Sequence, residues 1–160
     1  FARLGNFTWS PNGNYIALTH ATQTGLELWL VDVEKHKAEK LTEASVNGVM
    51  PLNPVIWMDA GEWMAFTAVI ANGDPKPQKG TLPSGPMVRE SDAIESAVRT
   101  YQDLLKDSYD EALFEYYATS QLIKINIKKE QHEMGIPAIF KEILPSPDSR
   151  FLLVKMMMVK

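Results

Sequence analysis

Few side chains in this 160-residue sequence carry the chemistry for catalysis or metal binding, and their spacing decides what they can do. There are three histidines, His20, His36 and His132, and no cysteine. The lack of Cys removes thiolate nucleophiles, disulfides and Cys-based zinc sites together, and it leaves the redox compartment open. His132-Glu133-Met134-Gly135 lacks the second histidine of a zinc-peptidase helix, and the other two histidines are far off in sequence, so no metal site and no cofactor is expected. Ser84, in Leu82-Pro83-Ser84-Gly85-Pro86, is the nearest visual match to a hydrolase nucleophile. A nucleophile elbow is Gly-x-Ser-x-Gly on a strand-to-helix turn, and no such pentapeptide occurs in the sequence. Ser84 lacks the first Gly and reads as a turn serine. Asp110, Glu111 and Glu115 crowd one helix, where the positive end of its dipole accounts for the acidic first turns. Asn6-Phe7-Thr8 is a formal glycosylation sequon at a strand edge, and nothing in the sequence gives it a secretory context.

The composition, 45% hydrophobic and 22% charged, is that of about one soluble globular domain. A formal charge of -4 offers no field that would attract duplex DNA or an anionic membrane, so neither is an expected partner. No apolar run is long enough for a spanning helix; Met156-Met157-Met158-Val159 is short and flanked by Lys155 and Lys160. The first residue is Phe1 and the last lie in an apolar run, a pattern that reads as a piece of a longer protein.

What must position any site is a repeat. Residues 7 to 19 read FTWSPNGNYIALT, and 55 to 67 read VIWMDAGEWMAFT. Setting Trp57 over Trp9 also matches Gly61 to Gly13, Trp63 to Tyr15, Ala65 to Ala17 and Thr67 to Thr19. Residues 145 to 154, PSPDSRFLLV, place Ser146, Pro147 and Asp148 over Ser10, Pro11 and Asn12, and Phe151 over Tyr15. After the first turn, Tyr15 to Thr19 is β-prone, and Leu26, Leu28 and Leu30 alternate with Glu27, Trp29 and Val31, a period of two. Glu34-Lys35-His36-Lys37 makes a polar turn before a short strand from Ala38 to Thr42. Several short strands and a Gly-containing turn in a unit of about 40 to 50 residues predict β-propeller blades, each burying one face on the next. The chain is therefore mainly β, a partial propeller of about two to two and a half blades.

The second unit is interrupted by an insertion, 71 to 118. Its first part, 72 to 86, is rich in Pro and Gly and reads as a loop. The second part, 92 to 117, is helical: Ile94, Ala97, Val98, Tyr101, Leu104 and Leu105 recur at helical spacing, with Asp92 and Glu95 or Thr100 and Asp103 as alternative starts and an end near Asp107. Ser108 with Glu111 has capping-box spacing for another helix, whose stripe of Tyr109, Ala112, Leu113, Tyr116 and Tyr117 is expected to pack on the blade. The strand pattern resumes at Gln121, with Leu122, Ile123, Ile125 and Ile127.

The segment 98 to 122, VRTYQDLLKDSYDEALFEYYATSQL, with 25 to 42 and 135 to 155, resembles the N-terminal propeller region of glutamyl endopeptidases of the prolyl oligopeptidase family. Two departures are His36, where Gly is usual in the hairpin, and the helix-prone stretch before Val98. The resemblance implies a two-domain serine peptidase whose propeller covers an α/β-hydrolase domain and filters peptide substrates. The Ser, Asp and His triad would then lie in a domain absent from 1 to 160, and this segment alone would be inactive. Arg89 and Arg99, both in the insertion, are the candidate substrate-mouth residues, because a guanidinium binds a carboxylate through two parallel hydrogen bonds. Each also has acidic neighbours with which it can pair instead. The expected partners are a peptide substrate and the hydrolase domain, with self-association of the isolated segment. An exported, periplasmic compartment and an organellar stroma both fit. The alternative is a non-enzymatic propeller that binds protein partners, as in cell-envelope assembly proteins. Limited proteolysis is expected to cut first between Asn72 and Pro86, where apolar anchors are few, and a first cut inside a blade hairpin would refute the insertion boundaries.

Overall fold

The computed structural model describes residues 3–70, 75–79, 105 and 107–157. Most of the helix expected over 92 to 107, most of the loop 72 to 86, Ser84, Arg89 and Arg99 lie outside them. The first repeat forms a four-stranded antiparallel sheet of β1 (Arg3–Trp9), β2 (Tyr15–Ala21), β3 (Leu26–Asp32) and β4 (Lys37–Lys40), in sequence order. The second sheet has five strands, also in order: β5 (Val55–Met58), β6 (Trp63–Ala68), β7 (Ser120–Asn126), β8 (Gln131–Pro145) and β9 (Leu152–Met157). The one α-helix among the described residues, α1 (Ser108–Ala118), precedes β7.

The long β8 belongs to two units. Its first half pairs with β7 as far as Ala138, and from Ile139 onward it pairs with β9. It is thus the outer strand of the second unit and the inner strand of a third, which gives two four-stranded units and one hairpin.

The units stack face to face, and the period-two alternation of each strand decides which residues meet. In unit 2, Met64, Phe66 and Ala68 of β6 join Trp57 and Ile125 in a core with Ala17, Leu28 and Leu30 of unit 1. The other face of unit 2, with Ala65 and Leu122, packs on Phe140 and Ile143 of unit 3, over which the five-stranded sheet curls back. Each unit therefore has a leading face toward the unit before it and a trailing face toward the next. β6 is covered on both, which is why its sequence reads as an almost unbroken apolar run. The repeat match of threonines has a polar cause. The buried Thr19 Oγ1 donates to the Gly5 carbonyl (2.9 Å), and the equivalent Thr67 Oγ1 donates to the Asn47 carbonyl (3.0 Å).

The repeated turns carry one geometry at the first and third copies. Ser10 Oγ accepts from the Tyr15 amide at 2.9 Å, and Ser146 Oγ accepts from the Phe151 amide at 3.0 Å. Gly13 takes φ +74°, and Ser149 is forced to +56° at the same position. His36, in its hairpin, likewise takes +49°. The second copy differs, with Asp59, Ala60 and Gly61 all at positive φ. The three turns also touch in series: a Cβ on Gly61 would lie 3.1 Å from Asn12 Nδ2 and 3.2 Å from Ser10 Cβ, while the Asp59 amide donates to the Ser149 carbonyl at 3.0 Å.

Two expected boundaries shift. The closing strand of unit 1 ends at Lys40 rather than Thr42, because Thr42 turns its hydroxyl oxygen to accept from the Leu28 amide (3.1 Å) while the Leu41 amide donates to the Leu28 carbonyl. The cap of α1 is Asp107, whose carboxylate accepts from the Asp110 amide at 2.9 Å, and Ser108 is the first helical residue, so the Ser108–Glu111 capping box does not form. A carboxylate is the better partner for the positive helix end.

These turns generate a stability prediction. Gly61→Ala places a side chain both at φ +99° and against Asn12, and is expected to cost more than about 1 kcal/mol. Ser149→Gly relieves a left-handed residue and is expected to gain about 0.5–1 kcal/mol. Urea denaturation of both variants measures this, and equal stabilities would show that the turns are not strained.

Candidate functional site

β6 runs away from the stacked turns, so the chain after Ala68 emerges at the opposite end of the sheets, beside the β2–β3 hairpin and the link between units 1 and 2. There α1 and the link between the units line a groove of about 980 Å³. One wall is Leu26 with Val46, Gly48 and Val49 of the link; the other is Ala112, Glu115, Tyr116 and Tyr117 of α1. Val69, Ile70, Pro75, Pro77 and Pro137 of β8 also line it.

Asn47 holds this architecture together. Its amide donates to the Thr67 carbonyl and its carbonyl accepts from Thr67 Oγ1, which fixes the link to β6. Its side-chain Nδ2 donates to the Tyr117 carbonyl at 2.9 Å and approaches the Thr119 carbonyl at 3.4 Å, satisfying orphan acceptors at the helix C-terminus. Its Oδ1 accepts from the Val49 amide at 3.0 Å. One nearly buried amide therefore joins the link, the sheet and the helix. Close by, Gly48 lets the backbone pass Leu26, whose Cδ1 would lie 2.6 Å from any Cβ there.

The stripe expected to pack on the blade divides. Tyr109, Ala112 and Leu113 are half-buried, but Tyr116 and Tyr117 are exposed at the groove, their rings edge to face at 5.1 Å. The Lys76 ammonium lies 5.3 Å from the Tyr117 ring centre, and its hydrogen bond to Tyr117 holds its pKa above the ordinary lysine value. Lys79 lies 5.9 Å from the Tyr109 ring. The groove thus joins aromatic and proline surface, with Glu115 in its lining and the Lys76 ammonium beside the Tyr117 ring.

The other candidates are dispersed. His20 lies on the leading face of unit 1 with Nδ1 3.1 Å from Glu27 Oε2, His36 is in the β3–β4 turn, and the His132 ring lies against Trp63 on β8. Among the described residues no three His, Asp or Glu side chains converge on a metal-sized site. A smaller cavity of about 200 Å³ contains Asp32 and Lys35, but these bind each other at 2.7 Å, which lowers the pKa of the first and raises that of the second. No described helix is long and apolar enough to cross a membrane. Asn47, Lys76 and Lys79 were not singled out from the sequence. Val46-Asn47-Gly48-Val49 reads there as an ordinary turn, with no local sign that it caps a helix far along the chain.

No protein-family model matches the chain. Over 96% of its length it is 35% identical to a rice protein (Oryza sativa subsp. japonica) named "Probable glutamyl endopeptidase, chloroplastic". The chain resembles one segment of a glutamyl endopeptidase. A second relative of the same name, from Arabidopsis thaliana, is 33% identical over 92% of the chain. The segment spans only 17% and 16% of the length of these glutamyl endopeptidase relatives. In fold it is similar to TolB from Acinetobacter baumannii, with a TM-score of 0.51 over 94% of this chain and 26% of that one, at 15% identity. That likeness agrees with a partial propeller, in which the glutamyl endopeptidase-like segment supplies two blades and the first hairpin of a third.

Asn47→Ala strands the Tyr117 carbonyl and the Val49 amide, and is expected to cost about 1–3 kcal/mol. Hydrogen exchange should quicken at the end of α1 in the variant, while the β2–β3 hairpin amides stay protected. Unchanged exchange in α1 would show that Asn47 does not hold the helix.

Proposed function

We propose that this chain is the non-catalytic propeller portion of a serine peptidase of the prolyl oligopeptidase family, of the glutamyl endopeptidase kind, which filters peptide substrates and docks on an α/β-hydrolase domain. Similarity to glutamyl endopeptidases along nearly the whole chain carries the reading. The groove supports its finer part. It lies at the end of the blades that holds the insertion, and its aromatic and proline lining suits a passing peptide more than a compact ligand. Peptide carbonyls and side chains would run over Tyr116 and Tyr117, with Lys76 meeting an acidic residue. Arg89 and Arg99, in the same insertion, are the proposed carboxylate-binding residues of the substrate mouth. The relatives are named chloroplastic, which favours an organellar stroma over an exported compartment.

The test compares the 160-residue chain with a full-length protein that contains it. The full-length protein is expected to cleave peptides after Glu and to react with a fluorophosphonate at one serine, and the 160-residue chain to do neither. In the full-length protein, Arg89→Ala or Arg99→Ala should raise KM for Glu substrates about tenfold with little change in kcat, as expected when a charge-assisted contact made equally in ground and transition states is lost. A full-length protein inert toward both peptide and fluorophosphonate would overturn the peptidase reading and leave a non-enzymatic binding module. Peptidase activity insensitive to both Arg variants would overturn their role alone.

A further inference from the structure

The stretch 75–79, Pro-Lys-Pro-Gln-Lys, lies along α1 and reaches both of its ends. Lys76 meets Tyr117 in the last turn, its ammonium 5.3 Å from the ring centre, and Lys79 lies 5.9 Å from the ring of Tyr109 in the first turn. The stretch therefore runs antiparallel to the helix. Proline locks its own φ near the polyproline value, and Lys76, which precedes Pro77, is biased toward the extended region. In such a segment, with three residues per turn, lysines three apart fall on one side at a separation of about 9 Å. Tyr109 and Tyr117 are about 12 Å apart along the helix axis, a difference that long lysine side chains bridge. Pro75 and Pro77 line the groove together with Tyr116 and Tyr117. We propose that 75–79 is a strap held on α1 by its two lysines, and that an acidic side chain on a peptide entering the groove releases it by taking Lys76 from Tyr117. This rests on the reading of the groove as a peptide path and says how that path is governed.

Lys76, Lys79 and Tyr117 are exposed, and a cation–ring contact at an exposed site is weak. Two of them hold a segment that is already extended, because little freedom is lost when it docks. Tyr117 is a neutral partner for Lys76. A carboxylate accepts a charge-assisted bond about twice as strong as one between neutral groups, so an acidic side chain within reach gives the ammonium a better partner. Only a difference of this kind shifts the strap, and a neutral peptide supplies none. Glu115 lines the same wall and repels an entering carboxylate, so the pull comes from Lys76.

Trypsin reads the strap directly: it does not cut after Lys76, which Pro77 follows, and it cuts after Lys79 only when that side chain is free to enter its pocket. In a full-length protein that contains this chain, with any reactive serine blocked by a fluorophosphonate, mass spectrometry follows the cut after Lys79 against cuts elsewhere. The probe is a blocked heptapeptide of alanine and proline with a central glutamate, compared with its glutamine counterpart. Fluorescence anisotropy of the labelled probe measures its binding to the wild type and to Tyr116→Ala, which removes part of the groove wall. Tyr117→Leu is expected to speed the cut about two- to fivefold without peptide. Saturating Glu peptide should speed the wild type by as much, while the Gln peptide leaves it slow. A Glu peptide that binds with the cut unchanged, or a Gln peptide that speeds it equally, overturns the strap and leaves the groove reading standing. So does a Tyr117→Leu protein, folded by circular dichroism, that is cut at the wild-type rate. Probe binding that is absent, or unaltered by Tyr116→Ala, overturns the groove reading and the strap with it.

Discussion

Face-to-face packing of one small sheet on the next is the constraint on which the other features depend. A four-stranded sheet of this size cannot bury enough apolar surface alone, and among the described residues the middle unit is packed on both sides. Met64 and Phe66 point one way along β6 and Ala65 the other, yet all are almost fully buried. Burial of a side chain such as Phe66 or Leu28 contributes about 1.5–3 kcal/mol each. That gain exists only while the units hold their spacing, so anything that changes the distance between turns acts on both cores.

Spacing is set where the turns meet. Gly61 sits against Ser10 and Asn12 because it has no side chain, and the backbone of Asp59 bonds onward to Ser149. Close approach and strained φ values occur in the same few residues. The strain at Ala60 and Ser149 persists because hydrogen bonds fix the backbone around it; in the third copy the Ser146 hydroxyl accepts from Phe151 and its carbonyl accepts from the Ser149 amide. Lys124 adds a further tie, binding Asp59 at 2.7 Å while lying over the Trp63 ring, and so joins β7 to the second turn.

The repeat was legible in sequence because it rests on local rules: Pro and Asx turns, period-two alternation, and an aromatic before the first two turns. These place β2, β3, β6, β7 and β9, but not β1 and β5, the strands that run into the turns. They do not separate a face covered by a neighbour from one left open, since Trp9 and Trp57 have the same local context and opposite exposure. The helix cap moved by one residue because Asp107 and Ser108 are both competent caps, and only the entry direction of the chain decides between them. Tyr116 and Tyr117 looked like core because helical spacing records which residues share a side and not what lies opposite. The groove was not legible at all, since it depends on Asn47 reaching a helix end that the sequence places far away.

The position of the insertion follows from the same packing. At the turn end, every copy is in contact with the next, so a long segment there would separate the turns and loosen both cores. The two sheet faces of the middle unit are equally committed. The hairpin end between β6 and β7 is left, where a segment can leave and return without breaking the pairing of Ala68 with Gln121. The chain between β6 and β7 leaves and returns there, and the bonds of Asn47 transfer the rigidity of the stacked sheets to α1. The tyrosines of α1 are thereby held on a fixed base beside the groove.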